Sequence, residues 1–478
     1  MIPLPRSINR LRVDFPQMSA HETLSPIQRG VALLIAALLV GGLIANLVLT
    51  LTLMLAASTA LYLVNLGWRL YLLVVALHDP RLVAISDAQA RAIADHDLPI
   101  YTVLVPAYHE AEVIARTLQA LAALDYPRDR LDVKLLLEAD DLETIAAAAS
   151  VRSSLEIEVV RVPVSLPRTK PKACNLGLES ARGEIVTIFD AEDRPEPLQL
   201  RRAVAAFRAL APSVACLQAK LSYHNVKQNL ITRWFTAEYD AWFSLMLPAL
   251  AQKGGPVPLG GTSMHIKREV LEQVGGWDPY NVTEDADLGV RLQRFGYRVE
   301  VLDSTTLEEA NSDFVNWVRQ RSRWYKGYLQ TWLVHMREPR RLWRELGPRG
   351  FLALTTMVGA VPIASMINPL FWALTLVWFV DRTPFLQSLL PPAVYFPALF
   401  SLLVGNFVAG YVGLIAIRAS RRPYLLPAVL VAPAYWLMMS IAALRAVLQL
   451  VVAPSFWEKS VHGLDRPLAS EEGQPAVS

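Results

Sequence analysis

The sequence predicts an α/β domain on a mostly parallel sheet with helices on both faces, flanked by α-helical transmembrane segments. The first observation is composition: hydrophobic residues make up 53% of the 478 residues, and the mean hydropathy is +0.31. Soluble domains have a lower apolar fraction, and the excess is concentrated in residues 29–77 and 351–453. The second observation is that short β-rich runs alternate with helical patterns between these regions, which favours a mostly parallel sheet.

Charge and cysteine content argue against several classes of protein. The net charge is +3, and the polar region has no Lys/Arg-rich run with interleaved aromatic residues, so no nucleic-acid partner is expected. The two cysteines, Cys174 and Cys216, lie far apart and form no CxxC motif. They indicate neither a disulfide framework nor a zinc site, and they favour a reducing compartment.

The amino-terminal part predicts two membrane helices. Residues 1–28 carry several arginines, and residues 29–79 are long enough for two spans of about 20 residues each. A turn between the spans is expected near Asn46. Because positive charge favours the cytoplasmic side, residues 1–28 and the domain 80–345 are predicted to be cytoplasmic.

The carboxyl-terminal part, 346–455, contains three apolar blocks, and a tail follows at 456–478. Arginines around Arg418, between the last two blocks, predict a cytoplasmic loop there. A cytoplasmic tail then requires that one block does not cross. Two blocks are candidates: the first contains prolines, and the last contains Arg445, a mid-membrane charge that costs about 2.5–3.5 kcal/mol. The three blocks are 351–380, 389–416 and 425–453.

The polar residues of the central domain follow its predicted strands. In parallel α/β sheets, ligands bind at the carboxyl ends of the strands. A binding site is therefore expected at that edge. The predicted elements are strands 100–105, 133–137, 156–162 and 185–189 and helices 110–124, 142–152 and 175–181.

Two of these strand ends suit a nucleoside. Tyr108 and Glu110 follow the first strand, where a ring can stack on a base and a carboxylate can accept hydrogen bonds; a strand end with a helix-starting Glu is the alternative. Glu138 and Asp140 end the second strand. They can accept hydrogen bonds from a base or ribose, or they form a solvated turn and helix cap.

The next two groups suit a diphosphate and a cation. The Lys-Pro-Lys run ending at Lys172 opens a helix, where anions bind, although lysines are often merely solvated. The strand 185–189 delivers Asp190, Glu192 and Asp193. Three neighbouring carboxylates are costly unless a cation such as Mg²⁺ or Mn²⁺ is present; a charged turn is the alternative.

Two later groups suit the reacting sugar. Gly261 and Thr262 lie in a Gly-Gly-Thr run in which the backbone can approach a ligand closely. Asp285, in a Thr-Glu-Asp triplet, can act as a general base on an acceptor hydroxyl. A helix cap is the alternative for the triplet, and both roles are compatible.

A helix near 313–335 places three functional side chains on one side. Gln320, Arg323 and Trp324 are spaced i, i+3 and i+4. An amide, a guanidinium and an indole together suit a diphosphate beside a sugar ring. An amphipathic helix on the membrane surface is the alternative.

In this order, the six groups resemble the inverting glycosyltransferases of family 2, above all the membrane-integrated processive synthases of cellulose, hyaluronan and chitin. The resemblance covers about 98–335 and implies a GT-A-like fold, a nucleotide-sugar donor (a UDP-sugar favoured), a growing glycan acceptor and Mg²⁺ or Mn²⁺. It implies these roles: Asp285 as catalytic base; Tyr108, Glu110, Glu138, Asp140, Lys172, Asp190, Gln320 and Arg323 in donor binding; Gly261, Thr262 and Trp324 in acceptor binding; Asp190, Glu192 and Asp193 at the metal.

The chain also departs from the pattern of these synthases. Glu192 stands where the family has a second aspartate, and Glu-Ala-Asp-Asp replaces the usual Asp-Asp-Gly-Ser. The cyclic-di-GMP signature is not found, so such regulation would need a partner, and accessory export or regulatory proteins are possible partners. The tail segment with Trp457, Lys459 and Ser460 resembles the segment that closes over the donor in related synthases; an interfacial anchor is the alternative.

The sequence therefore predicts a multi-pass enzyme of a bacterial inner membrane that builds and exports a β-linked polysaccharide. One alternative is a non-processive transferase that glycosylates a lipid such as a polyprenyl phosphate or a ceramide. The other is a receptor or scaffold with an inactive transferase domain.

Overall fold

The computed structural model describes residues 8–151, 155–381, 383–454 and 456–458. The central domain is built on one eight-stranded sheet. Its strands are β1 (Tyr101–Ala107), β2 (Leu131–Glu138), β3 (Ile157–Val162), β4 (Ile185–Ile188), β5 (Arg194–Pro195), β6 (Val214–Tyr223), β7 (Met264–Lys267) and β8 (Arg298–Glu308).

The strands lie in the order β3-β2-β1-β4-β7-β6-β8-β5. The pairs β1–β2, β1–β4, β2–β3 and β6–β8 are parallel, and the pairs β4–β7, β6–β7 and β5–β8 are antiparallel. The predicted mostly parallel sheet is therefore confirmed. The carboxyl ends of β1, β2 and β4 meet at one edge.

Nineteen α-helices are found in the described part of the chain. They are α1 (Arg10–Asp14), α2 (Pro26–Ala45), α3 (Leu47–His78), α4 (Asp87–Arg91), α5 (Ile114–Ala122), α6 (Leu142–Ser150), α7 (Lys170–Glu179), α8 (Gln199–Ala209), α9 (Leu230–Ala241), α10 (Leu247–Gln252), α11 (Arg268–Gln273), α12 (Glu284–Arg294), α13 (Phe314–His335), α14 (Pro339–Leu354), α15 (Ala360–Val380), α16 (Pro384–Leu389), α17 (Pro392–Ala419), α18 (Leu426–Leu430) and α19 (Ala432–Val452).

Strand β1 is buried on both faces, as expected for a central parallel strand. Leu104 packs with Cys174 of α7 on one face, while Val103 and Val105 pack with Leu118 of α5 on the other. Alternate residues of a strand point to opposite faces. The predicted helices on both faces are therefore confirmed.

Two predicted helices begin elsewhere than the sequence indicated. The first, expected from residue 110, begins at Ile114, and the residues before it form a loop at the end of β1. The second, expected from residue 175, begins at Lys170 because Pro171 occupies the first turn, where its missing N–H has no helical partner to lose. Both shifts bring polar side chains to the sheet edge.

Five helices of the described chain are long and apolar enough to cross a membrane: α2, α3, the run Pro339–Val380, α17 and α19. The α2 helix begins at the domain, where Gln28 donates to the carbonyl of Leu333 at 2.7 Å. The α3 helix returns to it, and Gln252 donates to Asp79 at 2.9 Å just beyond its end. The α2–α3 pair is therefore a hairpin that turns at Asn46.

The helices α15 and α17 form a second hairpin. At the domain end, Gly359 lies against Trp332 of α13, and Arg422, after α17, lies 3.3 Å from Asp240 of α9. At the far end, Thr52 of α3 donates to the carbonyl of Leu389 at 3.1 Å. The far ends of both hairpins therefore meet, away from the domain.

The last helix, α19, behaves differently. Near its start, Tyr435 donates to Glu238 at 2.6 Å, and beyond its end Gln330 donates to the carbonyl of Pro454 at 2.9 Å. Both partners belong to helices packed on the domain. The α19 helix therefore runs alongside α13, and both of its ends lie at the domain.

Candidate active site

Tyr108 and Asp140 lie together at the sheet edge. Arg168 donates to the Tyr108 hydroxyl at 3.0 Å and to the Asp140 carboxylate at 2.6 Å. Glu110 is placed beside them because its N–H donates to the Thr144 hydroxyl at 3.0 Å. Sequence reasoning missed Arg168, because no local pattern reveals that the loop before α7 folds back over the ends of β1 and β2.

The two lysines of the Lys-Pro-Lys run point in different directions. Lys172 is fully buried, with its Nζ 2.9 Å from Glu138 Oε1 and 3.2 Å from the carbonyl of Pro163. Burial raises the pKa of Glu138, although the Lys172 charge opposes this. Lys170 instead forms an ion pair with Asp190. Residues two apart on a helix lie about 200° apart, and of these two lysines only Lys170 lines the cavity described below.

In the turn after β4, the carboxylate of Asp193 has a different environment from those of Asp190 and Glu192. Asp193 is buried, and its Oδ2 accepts hydrogen bonds from the N–H of Asp190 at 2.7 Å and from the Thr262 hydroxyl. Its Oδ1 is buried without a hydrogen-bond partner. Burial and the charges of Asp190 and Glu192 hold the pKa of Asp193 well above its ordinary value.

The charges at this turn fit a cation. Burial and the same carboxylates, Asp193, Glu192 and Asp190, also hold the pKa of Glu308 well above its ordinary value, and the Lys170 charge opposes this. Within the described ranges, no three His, Cys, Asp or Glu side chains form a ready-made metal site. A divalent cation here would therefore draw its other ligands from a bound diphosphate, as hard cations often do.

Asp285 lies at the start of α12 and lines a cavity. It accepts a hydrogen bond from the N–H of Ala286 at 2.8 Å. Burial raises its pKa to about 6, and the cations of Lys170 and Arg323 limit the rise. Burial also raises the pKa of the adjacent Glu284. An aspartate with this pKa can accept a proton near neutral pH.

The loop before β7 approaches Asp285 closely. Gly261 has φ +83°, and a Cβ there would lie 2.9 Å from Asp285 Oδ2. Only glycine fits both conditions. The neighbouring Thr262 donates to Asp193 and, at 3.0 Å, to the carbonyl of Ile188. Its hydroxyl therefore fastens the loop to the carboxylate turn, and its predicted contact with the acceptor stays a prediction.

The α13 helix supplies two predicted side chains to the cavity. Arg323 and Trp324 line it together with Asp285. Gln320 accepts a hydrogen bond from Asn311 at 2.9 Å and is not part of this lining. The neighbouring Arg321 also lines the cavity and forms a bidentate pair with Glu238 of α9, at 2.8 and 2.6 Å.

The same helix fixes the loop before Asp285 and the carboxyl-terminal segment. The Gln330 amide oxygen accepts from the N–H of Val282 at 3.2 Å, and its nitrogen donates to the carbonyl of Pro454. Lys326 donates to the carbonyl of Phe456 at 2.6 Å. Sequence reasoning missed Gln330 and Lys326, because their partners are distant in sequence.

The described part of the predicted gating segment lies on the site. The ring of Trp457 is 4.6 Å from the guanidinium carbon of Arg323, and Glu458 is 2.5 Å from Arg445 of α19. Lys459 and Ser460 lie outside the described residues.

A cavity of about 510 Å³ connects this site to the apolar helices. At the domain end it is lined by Lys170, Asp285, Arg323 and Trp457. At the other end its wall comes from α3, α15, α17 and α19. The domain end of the cavity therefore brings together a lysine, an arginine and the carboxylates of Glu284 and Asp285, next to the carboxylate turn that Lys170 contacts through Asp190.

Residues 99–327 match the family model described as glycosyltransferase-like family 2. The chain therefore carries a family 2 glycosyltransferase domain, with apolar helices on both sides of it. The predicted family is confirmed.

Three curated relatives illustrate the similarity. The probable glycosyltransferase YdaM of Bacillus subtilis is 28% identical over 48% of this chain and 56% of its own. The β-monoglucosyldiacylglycerol synthase of Synechocystis is 29% identical over 57% of each chain. Glucomannan 4-β-mannosyltransferase 2 of Arabidopsis thaliana is 27% identical over 49% of this chain and 45% of its own. The chain thus spans about half the length of the relatives it matches.

One solved structure shares the fold. The mannosyltransferase PcManGT of Pyrobaculum calidifontis, in complex with GDP-mannose and Mn²⁺, superposes with a TM-score of 0.56 and 21% identity. The match covers 84% of this chain and 99% of that one. The predicted GT-A-like fold is therefore confirmed.

Proposed function

We propose that the protein is an inverting hexosyltransferase in which Asp285 is the catalytic base. The observation that carries the proposal is that Asp285 lines the same cavity as Lys170 and Arg323. The acceptor oxygen forms a bond to the anomeric carbon while its proton passes to Asp285. The bond from that carbon to the diphosphate breaks, so an α-linked donor gives a β-linked product.

The donor is proposed to lie along the sheet edge. Tyr108, Glu110 and Asp140, with Arg168, hold the nucleoside, and a UDP-sugar is favoured. Lys170 contacts the diphosphate, a role that the sequence predicted for Lys172. Lys172 and Glu138 form a buried ion pair that stabilises the wall of the donor site. This arrangement is supported by the Arg168 hydrogen bonds described above.

Arg323 and Gln320 complete the donor site, with Arg323 facing the diphosphate. Asp190 and Glu192 would hold Mg²⁺ or Mn²⁺, while Asp193 shapes the turn. A divalent cation neutralises the charge of the leaving diphosphate. Mn²⁺ in the PcManGT structure is consistent with this assignment.

The acceptor is proposed to reach Asp285 past Gly261 and Trp324. In the form predicted from the sequence, the acceptor is a growing glycan and the product a β-linked polysaccharide exported through a bacterial inner membrane. Four helices, α2, α3, α15 and α17, would cross, and α19 would lie in the interface. Its exposed apolar stripe supports this placement, as in-plane helices expose such a face. The stripe consists of Leu437, Ile441, Leu444 and Leu448.

A second candidate is the transfer of a single sugar to a lipid. The cavity wall is mainly apolar, and beyond Ser401 the side chains of Phe371, Ala398 and Leu402 fill the space between α15 and α17. A mainly apolar cavity wall suits an acyl chain better than a hydrophilic polymer. The name of the Synechocystis relative points to the same class of acceptor.

Membranes that contain the protein, incubated with labelled UDP- and GDP-sugars, test both forms. We expect Mn²⁺- or Mg²⁺-dependent release of the nucleoside diphosphate, lost in Asp285→Asn. High-mass product supports polymer synthesis, and a single-sugar glycolipid supports the second candidate. Donor turnover that persists in Asp285→Asn, or after chelation of divalent ions, would contradict the corresponding assignment.

A further inference from the structure

Arg69 of α3 is a positively charged side chain in the membrane part of the cavity. It lines the cavity, and its Nε is buried without a hydrogen-bond partner. Within the described residues, no carboxylate lies within ion-pair distance of its guanidinium. An unpaired charge in apolar surroundings is costly, so such groups are normally paired or bind a ligand.

The groups around Arg69 are already engaged. The Tyr62 hydroxyl donates to the carbonyl of Ala364 at 2.7 Å, and the Tyr325 hydroxyl lies 3.1 Å from the Ser365 hydroxyl. Glu238 acts on Arg69 electrostatically, but its carboxylate is bound by Arg321 and Tyr435. The charge of Arg69 is therefore not balanced by the protein.

Arg69 lies at the depth of lipid head groups. The α3 helix has 32 residues, or about 48 Å, whereas the hydrocarbon core is about 30 Å thick. Arg69 is nine residues, about 14 Å, before the end of α3 at the domain. The excess length of the helix places this level near the bilayer surface on the domain's side.

The wall beyond Arg69 leaves room for chains. Where α17 borders the cavity it presents small residues, including Gly405, Ala409 and Gly410, and α19 contributes Met439. Small and flexible apolar side chains provide space that an acyl chain can fill. A cation at the head-group level and an apolar space beyond it match the two parts of an anionic lipid.

We propose that Arg69 binds the phosphate of an acceptor lipid whose hydroxyl is glycosylated at Asp285. The inference rests on the lipid form of the proposed function. A guanidinium suits a phosphate because it can donate two parallel hydrogen bonds. The lipid oxygen forms a bond to the anomeric carbon, its proton passes to Asp285, and the nucleoside diphosphate leaves with the electron pair of the broken bond.

The test uses the full chain in nanodiscs and the labelled sugar nucleotide with the fastest turnover. Phosphatidylglycerol offers a phosphate and free hydroxyls, diacylglycerol a hydroxyl without phosphate, and a polyprenyl phosphate a phosphate without a hydroxyl. We expect transfer to phosphatidylglycerol, with a KM at least about 10-fold higher in Arg69→Gln, the loss expected for a charged hydrogen bond. Arg69→Lys should recover part of this loss, and donor hydrolysis should be unchanged.

Arg418→Gln is the matched control, since Arg418 is an exposed arginine at the end of α17, outside the cavity. An equal effect of Arg69→Gln and Arg418→Gln would overturn the proposal, as would a preference for diacylglycerol or polyprenyl phosphate. A lipid-free polymer would overturn it while leaving the transferase function intact. Absence of donor turnover in the unmodified protein would instead contradict the proposed function. If Arg69→Gln does not fold, Arg69→Lys and the lipid preference of the unmodified protein decide.

Discussion

The two ends of the site differ in how most of their charged side chains are compensated, and Arg69 is the exception at the membrane end. At the membrane end, Arg321 and Glu238 are joined by two hydrogen bonds, and Tyr435 donates a third. At the domain end, Asp193 lies beside the cavity with an unpartnered buried oxygen, and Asp285, which lines the cavity, has a raised pKa. Paired charges therefore hold the helices in place, whereas the incompletely compensated charges lie where substrate and cation are proposed to bind.

The largest expected effect comes from the base. Asp285→Asn should lower sugar transfer by roughly 10²–10⁴-fold, the range for loss of a general base. Donor binding, measured by isothermal titration with the nucleoside diphosphate, should change little. Asp129→Asn, at an exposed turn, is the control. Normal transfer by Asp285→Asn would remove Asp285 from the mechanism and with it the contrast between the two ends.

Gly261→Ala should come next, with a loss of transfer of up to about 10²-fold, because small displacements at a reacting centre cost that much. The added Cβ would press on Asp285 Oδ2. Gly254→Ala is a matched control, since Gly254 has φ +68° and nothing within 4 Å of the added Cβ. It should share the backbone strain but not the loss of activity. Equal kinetic losses in both variants would assign the effect to strain alone.

The two lysines of α7 give the sharpest contrast between function and support. Lys172→Met leaves Glu138 buried and unpaired, so we expect the free energy of unfolding to decrease by about 3–5 kcal/mol. Lys170→Met should instead keep the thermal midpoint and raise the KM for the donor at least about 10-fold, the loss expected for a charge-assisted hydrogen bond. Thermal unfolding and steady-state kinetics on both variants check this. Reversed outcomes would restore Lys172 as the donor contact.

The pH dependence of transfer should report Asp285. Its pKa is raised to about 6 by burial, and the base acts only when deprotonated. The value of kcat/KM should therefore be constant above about pH 7 and decrease as the pH falls through 6. Well below pH 6 the decrease in kcat/KM should approach tenfold per pH unit. A rate that does not change between pH 5 and 7 would contradict the assignment.

Trp457→Ala should have the smallest effect. A cation–π contact contributes about 0.5–2 kcal/mol, so the KM for the donor should rise between about 2-fold and 30-fold through loss of the contact with Arg323. Phe379→Ala, at an exposed position on α15, is an aromatic control outside the site. If Trp457→Ala does not alter the KM for the donor, the segment is an anchor rather than part of the donor site.

How much of the site the sequence predicted depended on the range of the contacts. The carboxylate turn and the Thr-Glu-Asp triplet could be proposed from the sequence because each is a local run after a strand or at a helix start. Lys170 was not assigned because the helix was expected to begin at residue 175, beyond both lysines. The choice between them depends on the directions in which their side chains leave the helix, and the helix begins five residues earlier, at Lys170. Arg168 and Gln330 were missed because their partners lie on distant segments.

The membrane part shows the same limit. Length and apolar composition predicted the helices, but they could not decide whether the last one crosses. That depends on which side chains meet at its two ends, Tyr435 with Glu238 and Pro454 with Gln330. These contacts favour the last apolar block, which contains Arg445, as the block that does not cross. The Arg445 charge forms an ion pair with Glu458.

The single amide of Gln330 has a consequence for timing. Its oxygen holds the backbone just before the Thr-Glu-Asp triplet, and its nitrogen holds the segment that carries Trp457. The two segments therefore cannot shift independently while these bonds persist. On the proposed function, the Trp457 segment and Asp285 would therefore move at the same time when the site opens to exchange nucleotides.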